Sequence, residues 1–151
     1  MITYSEEDIE DIHKEASELL DPHKVEFSAF KELKVDIDVD GLMFLQNDGR
    51  VISCVARDGD KLVGYCVDIL SNNFLYNGNI FSHTLVYYIL PEYRARCGRG
   101  LLKFVERVEK EIGVYARITG FSKSSASSSR AGDFLRALGY SDLDATLLKR
   151  L

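Results

Sequence analysis

Little in this sequence marks an unusual protein, and each shortage excludes something. It has only two prolines and, apart from one serine cluster, no low-complexity linker. With 46% hydrophobic and 28% charged residues it has the composition of an ordinary globular chain. The three cysteines, Cys54, Cys66 and Cys97, are odd in number and lack metal-ligand spacing. They form neither a disulfide framework nor a zinc motif, so a reducing, cytoplasmic setting is expected. No apolar run approaches the ~20 residues that a membrane-spanning helix needs. No internal repeat is visible. The acidic, helix-patterned start, MITYSEEDIEDI, does not read as a secretory signal. At 151 residues the chain is expected to form one domain, 1–151, large enough to bury a core without staples.

Charge is unevenly spread. Residues 1–40 carry 13 acids against 4 Lys/Arg, whereas the rest is basic on balance, within a net charge of −5. An acidic run is ordinarily a solvated face. It could also attract a cationic partner. The overall sign argues against nucleic-acid binding as the main role.

Residues Ser5–Leu20 read as an amphipathic helix capped by Ser5, with Ile9, Ile12, Ala16 and Leu19 on one face. Pro22 can open a second helix, and Leu42–Leu45 can add a strand. Val51–Arg57 and Lys61–Leu70, joined by Asp58-Gly59-Asp60, predict a hairpin. Ser71–Gly78 reads as a polar loop carrying aromatics, and Ser82–Leu90 as a third strand. A helix is predicted over Gly98–Ile112 and ended by Gly113, then a strand Tyr115–Phe121, a helix Ser128–Leu138 stopped by Gly139, and a strand Thr146–Leu151. This order predicts an α/β fold with a mixed, mainly antiparallel sheet and helices on both faces.

The segment after Ser82–Leu90 carries the chemistry. Pro91-Glu92-Tyr93-Arg94 leads through Ala95-Arg96-Cys97-Gly98-Arg99-Gly100 into a helix, and from Arg94 to Lys103 there are four basic residues and no acid. A basic, glycine-containing turn before a helix is a phosphate-binding arrangement. The first N–H groups of the helix are unpaired, its dipole is positive there, and glycine lets an anion approach the backbone.

These residues resemble the acetyl-CoA-binding motif of the GNAT acetyltransferases, in which Arg or Gln is followed by two variable residues, Gly, one variable residue, then Gly or Ala. Lys61-Leu62-Val63-Gly64-Tyr65 is similar to that family's hairpin. Ala131, Phe134, Leu138, Gly139 and Tyr140 match its late helix. The compact form is similar to short members encoded by tailed bacteriophages, which would place it in a host cytoplasm.

The resemblance implies a GNAT fold whose Ser82–Leu90 and Tyr115–Phe121 strands splay into a V. Acetyl-CoA would be the cosubstrate and a primary amine the acceptor, on a small molecule, peptide or protein. The acetyl group would move by direct attack in a ternary complex. A homodimer is compatible with it; metal, nucleic acid and membrane have no part. The pyrophosphate would lie on backbone N–H groups of Arg96, Cys97, Gly98, Arg99 and Gly100, flanked by Arg94 and Ala95. The pantetheine arm would lie along Ile89 and Leu90, with Ser128 near the coenzyme.

The sequence also departs from that pattern. Counted from Arg94, Cys97 and Arg99 stand where the motif has its small residues, and the glycines come one place later. Leu135 occupies the position of the Tyr that many members use as general acid. Candidate proton-transfer residues are therefore His83, Tyr87 and Tyr88, with His83 and Tyr87 on one face of an unbroken strand. Core packing is the plainer role for the tyrosines, and surface exposure for Glu92. Cys97, in a basic turn, could be a low-pKa thiol. Asp68, Asn72, Asn73 and Tyr76 could line the acceptor side. The alternative function is a catalytically silent GNAT-fold module that binds coenzyme A or a partner.

Overall fold

The structure, a computed structural model, describes residues 1–16, 19, 36–120, 128–143 and 149. The chain divides into two compact units, Met1–Gly120 and Phe121–Leu151.

The first unit is built on a five-stranded sheet in the order β1 (Ile2–Glu6), β2 (Val51–Asp58), β3 (Lys61–Asn72), β4 (Ile80–Ile89), β5 (Val114–Ile118). The first four strands are antiparallel, and β5 runs parallel to β4. The expected β2–β3 hairpin is present, and Gly59 at its turn has φ +62°, a conformation that side-chain-bearing residues rarely adopt. Two helices face the sheet from opposite sides: α1, over residues 9–16, and α3 (Arg94–Glu111). The shorter α2 (Val39–Asn47) precedes β2.

Helix α3 buries Leu101, Leu102, Val105 and Val108 at helical spacing. Leu101, Val105 and Val108 pack with Cys97 on Ile52, Cys54, Ala56, Val63, Cys66 and Ile89 of the sheet. Leu101 and Val105 are fully buried, each stabilising the fold by roughly 1.5–3 kcal/mol. On the other face Ile12 and Ala16 of α1 pack on Val55, Leu62, Tyr65 and Tyr88. Arg57 ties that helix to the sheet, reaching Glu7 at 2.6 Å and Glu15 at 2.8 Å.

Several expectations are corrected. Ser5 is not a helix cap: it pairs with Val55 as part of β1, a strand the acidic pattern concealed. The carbonyl of Asp8 accepts the first helical bonds instead, from Asp11 and Ile12. Leu42–Leu45 is helical, because the Asp38 carboxylate caps the Gly41 N–H at 2.9 Å. Helix α3 begins at Arg94, not Gly98. The helix after Pro22 and most of the strand Thr146–Leu151 lie outside the described residues, and the strand expected over Tyr115–Phe121 is Val114–Ile118, with Thr119 and Gly120 beyond its end.

In the second unit α4 (Ser128–Ala137) matches the predicted helix and ends at Gly139, whose φ is +96°. Arg136 pairs with Asp142 at 2.9 Å. Among the described residues no helix is long and apolar enough to cross a membrane, and no His, Cys, Asp and Glu cluster could hold a metal ion.

Candidate active site

The sheet opens between β4 and β5. The strands pair from Ile80↔Val114 to His83↔Ile118, where β5 ends, and β4 continues to Ile89 with β3 alone beside it among the described residues. This parting agrees with the splay that the resemblance implies. Backbone groups on the free side of Thr84–Ile89 are left without a neighbouring strand among the described residues. Two groups at the far end are engaged: Arg94 Nε donates to the Ile89 carbonyl at 3.1 Å, and the Leu90 N–H donates to the Val63 carbonyl at 3.0 Å.

A bulge sets which side chains face the gap. Val67↔Val86 is followed by Asp68↔Thr84, so Leu85 is an extra residue on β4. The extra residue reverses the alternation of everything after it. His83 and Tyr87 therefore lie on opposite faces, contrary to the unbroken-strand expectation. The Tyr87 hydroxyl donates to the Gly98 carbonyl on α3 at 2.6 Å, and burial pushes its pKa up. Tyr88 is buried on the α1 face, its ring 5.9 Å from that of Tyr65. His83 is exposed. It shares the face of Tyr88, because Thr84 next to it bonds toward α3.

The expected glycine turn is helix. Pro91–Tyr93 forms a 3₁₀ turn that runs directly into α3. The N–H groups of Gly98, Arg99 and Gly100 therefore fall inside the helical pattern, where each meets the carbonyl four residues back. Burial explains why the glycines do not break the helix. Cys97 and Gly98 face the sheet, and a Cβ on Gly100 would overlap the Tyr4 hydroxyl. Gly100 thus serves close packing against β1. Burial also raises the Cys97 thiol pKa, which overturns its reading as an activated nucleophile. Ala95, Arg96, Arg99 and Lys103 are exposed on the first turns of α3. Arg96 lies over the Tyr93 ring at 5.4 Å, and Arg94 over the Tyr88 ring at 5.9 Å. The positive end of the helix and these cations sit where β4 ends. Glu92 is exposed beside them. Ser128 begins α4 in the second unit.

A buried ionic cluster escaped the sequence reading. Arg117 of β5 reaches Asp68 of β3 at 2.6 Å, Glu109 of α3 at 2.8 Å, and the Thr84 hydroxyl at 2.8 Å. Asp68 is fully buried, and the other two charges nearly so. Burial raises the Glu109 pKa, and the charge of Arg117 partly opposes the rise. The cluster fills the α3 side of the point where the strands part. Asp68 therefore does not line an open acceptor surface. The available signal was three charged residues at positions whose periodicity points inward.

A cavity of about 660 Å³ opens at the other edge of the sheet, lined by Glu6, Glu7, Asp8, Asp11, Glu15 and Arg57 among others. It lies away from the gap, and Arg57 already neutralises two of its carboxylates.

No protein-family model matches the chain, and no curated protein matches it by sequence. Solved structures do. One similar structure is an aminoglycoside acetyltransferase from an uncultured soil metagenomic sample, in complex with sisomicin (16% identity, 99% of this chain and 96% of that one, TM-score 0.74). Another is glucosamine-6-phosphate N-acetyltransferase from Arabidopsis thaliana (19%, 99% and 98%, TM-score 0.74). A third is a predicted acetyltransferase from Clostridium acetobutylicum, solved with acetyl-CoA (16%, 99% and 96%, TM-score 0.66). With its curled mixed sheet, parted strands and flanking helices, this chain has the fold of the GNAT acetyltransferases.

Proposed function

We propose that the protein is an N-acetyltransferase that moves an acetyl group from acetyl-CoA to a primary amine within a ternary complex. One observation carries this reading: the β4 edge beyond His83, left free among the described residues, runs straight to the positive, cation-bearing end of α3. An extended, amide-rich arm ending in phosphates fits that geometry. The arm adds to the free strand edge, and the phosphates meet Arg96, Arg99 and Lys103 together with the helix dipole. Side chains thus do the work expected of the glycine turn.

The amine nitrogen attacks the thioester carbonyl, a C–N bond forms and the C–S bond breaks. The ammonium proton is first given up to a base, and we assign this role to His83, the exposed member of the three candidates. On attack the nitrogen sheds its second proton, and the departing thiolate takes it up through solvent; a thiol pKa of about 8.5 makes it a fair leaving group without the tyrosine that Leu135 replaces. Tyr87, tied to α3, acts in positioning.

Calorimetric titration with acetyl-CoA and with coenzyme A tests the reading, followed by thiol release against an amine panel. Arg96→Glu with Arg99→Glu should weaken acetyl-CoA binding at least about tenfold, the loss of one charge-assisted contact. No binding at millimolar acetyl-CoA would sink the proposal. Binding without turnover would support the silent module, a reading favoured by Leu135 and the missing glycine turn.

A further inference from the structure

An aromatic cluster stands uncovered at the root of the gap, and neither the fold nor the transfer step uses it. Tyr76, in the β3–β4 turn, stacks on Phe81 with ring centroids 6.4 Å apart, and Phe81 meets Tyr115 of β5 at 5.8 Å. Tyr76 is 61% exposed, Tyr115 is 73% exposed, and Phe74 and Leu75 beside them are almost wholly so. An apolar patch of this kind, left in water, marks a binding surface rather than a packing one.

Its place is specific. Phe81 is two residues before His83 with no bulge between, so both side chains share a face. Phe81↔Ala116 lies two pairs before His83↔Ile118, the last pair, at which the strands part. The ladder therefore leads up to the carbonyl that an amine must reach. The opposite face is closed there by Arg117, Asp68 and Glu109. An acceptor has the aromatic side to come from.

The stretch that carries it also lacks charge. From Ile69 to Pro91 there is no Asp, Glu, Lys or Arg, in a chain that is 28% charged. A polycation would find no carboxylate among these residues. The acids of Glu6–Glu15 lie beyond β2 and β3, with strands spaced about 4.8 Å apart. We propose that the acceptor is a primary amine carried on an aromatic ring, the ring lying against Phe81 and Tyr115 and the nitrogen pointing toward His83. This assignment rests on the acetyl-transfer reading and narrows it.

The test compares 2-phenylethylamine with spermidine and kanamycin at saturating acetyl-CoA, following release of the coenzyme thiol. The expected result is a kcat/KM for 2-phenylethylamine above that for either polycation by about tenfold or more. Phe81→Ala should raise its KM about tenfold while leaving the KM for acetyl-CoA unchanged, and Phe81→Tyr should restore it. Tyr115→Ala, at an exposed position, gives the same readout should Phe81→Ala fail to fold. Preference for a polycation, an amine KM indifferent to both alanine variants, or an acetyl-CoA complex that acetylates none of the three would overturn the assignment while leaving coenzyme binding intact. Absence of calorimetric acetyl-CoA binding would instead remove the transfer reading on which it stands.

Discussion

Arg117→Met tests the buried cluster most directly. The guanidinium is the only cation within reach of Asp68 and Glu109 among the described residues, and it also holds Thr84. Its removal strands two buried carboxylates facing each other. Breaking a buried pair from one side costs about 3–5 kcal/mol, a large share of the roughly 5–15 kcal/mol that stabilises a typical domain. At roughly 2–4 °C per kcal/mol for a chain of this size, Tm should fall by roughly 6–20 °C.

The loss should also depend on pH, with a definite sign. Burial already raises the Glu109 pKa, and without the cation that opposes the rise it moves further above its unfolded value of about 4. The folded state then binds the extra proton. The variant keeps most stability at low pH and loses it as pH rises through that raised value, by up to about 1.4 kcal/mol per pH unit. Urea unfolding followed by circular dichroism at pH 5, 6 and 7 reads both quantities. A loss below about 1 kcal/mol at pH 7, equal at pH 5, would refute the claim that Arg117 compensates buried charge. The neutral triple variant Asp68→Asn, Glu109→Gln, Arg117→Met should recover most of the loss, because no unpaired charge remains.

Two further outcomes are expected. Glu109 in the native protein has a raised pKa, so its contribution is complete below the unfolded value and lost as pH rises through the folded one; Glu109→Gln should therefore gain Tm relative to the parent as pH rises from about 4 toward neutrality, and a difference flat in pH would contradict this. Gly100→Ala should destabilise by about 1 kcal/mol net, overlap with Tyr4 outweighing the helix-propensity gain; in a Tyr4→Leu background the same change should become stabilising, and an unchanged sign in that double-mutant cycle would rule out the packing explanation.

The elements legible in the sequence were those with a single strong pattern. The β2–β3 hairpin, β4, the body of α3 and α4 with its Gly139 stop all fall where periodicity and turn residues put them. The misreadings share a cause: a local signal was outweighed by a tertiary partner. Ser5 imitates a helix cap, yet pairing of Tyr4 with Ala56 draws it into a strand. Leu42–Leu45 is too short an apolar run to distinguish strand from helix. Gly98 and Gly100 look like breakers but lie within the helix, and Gly100 is small because Tyr4 presses on that surface. The Leu85 bulge cannot be seen in a run as uniformly apolar as Leu85–Leu90, and it is what puts His83 and Tyr87 on opposite faces.

The junction from β4 into α3 has a mechanical consequence. A strand that passes through one 3₁₀ turn into an eighteen-residue helix, with Arg94 bonded back to Ile89, has no slack at which to bend. Strand and helix move as one lever. A ligand gripped at both its phosphates and its strand-like arm would therefore lie along one continuous piece of the protein, which holds its two ends at a fixed separation.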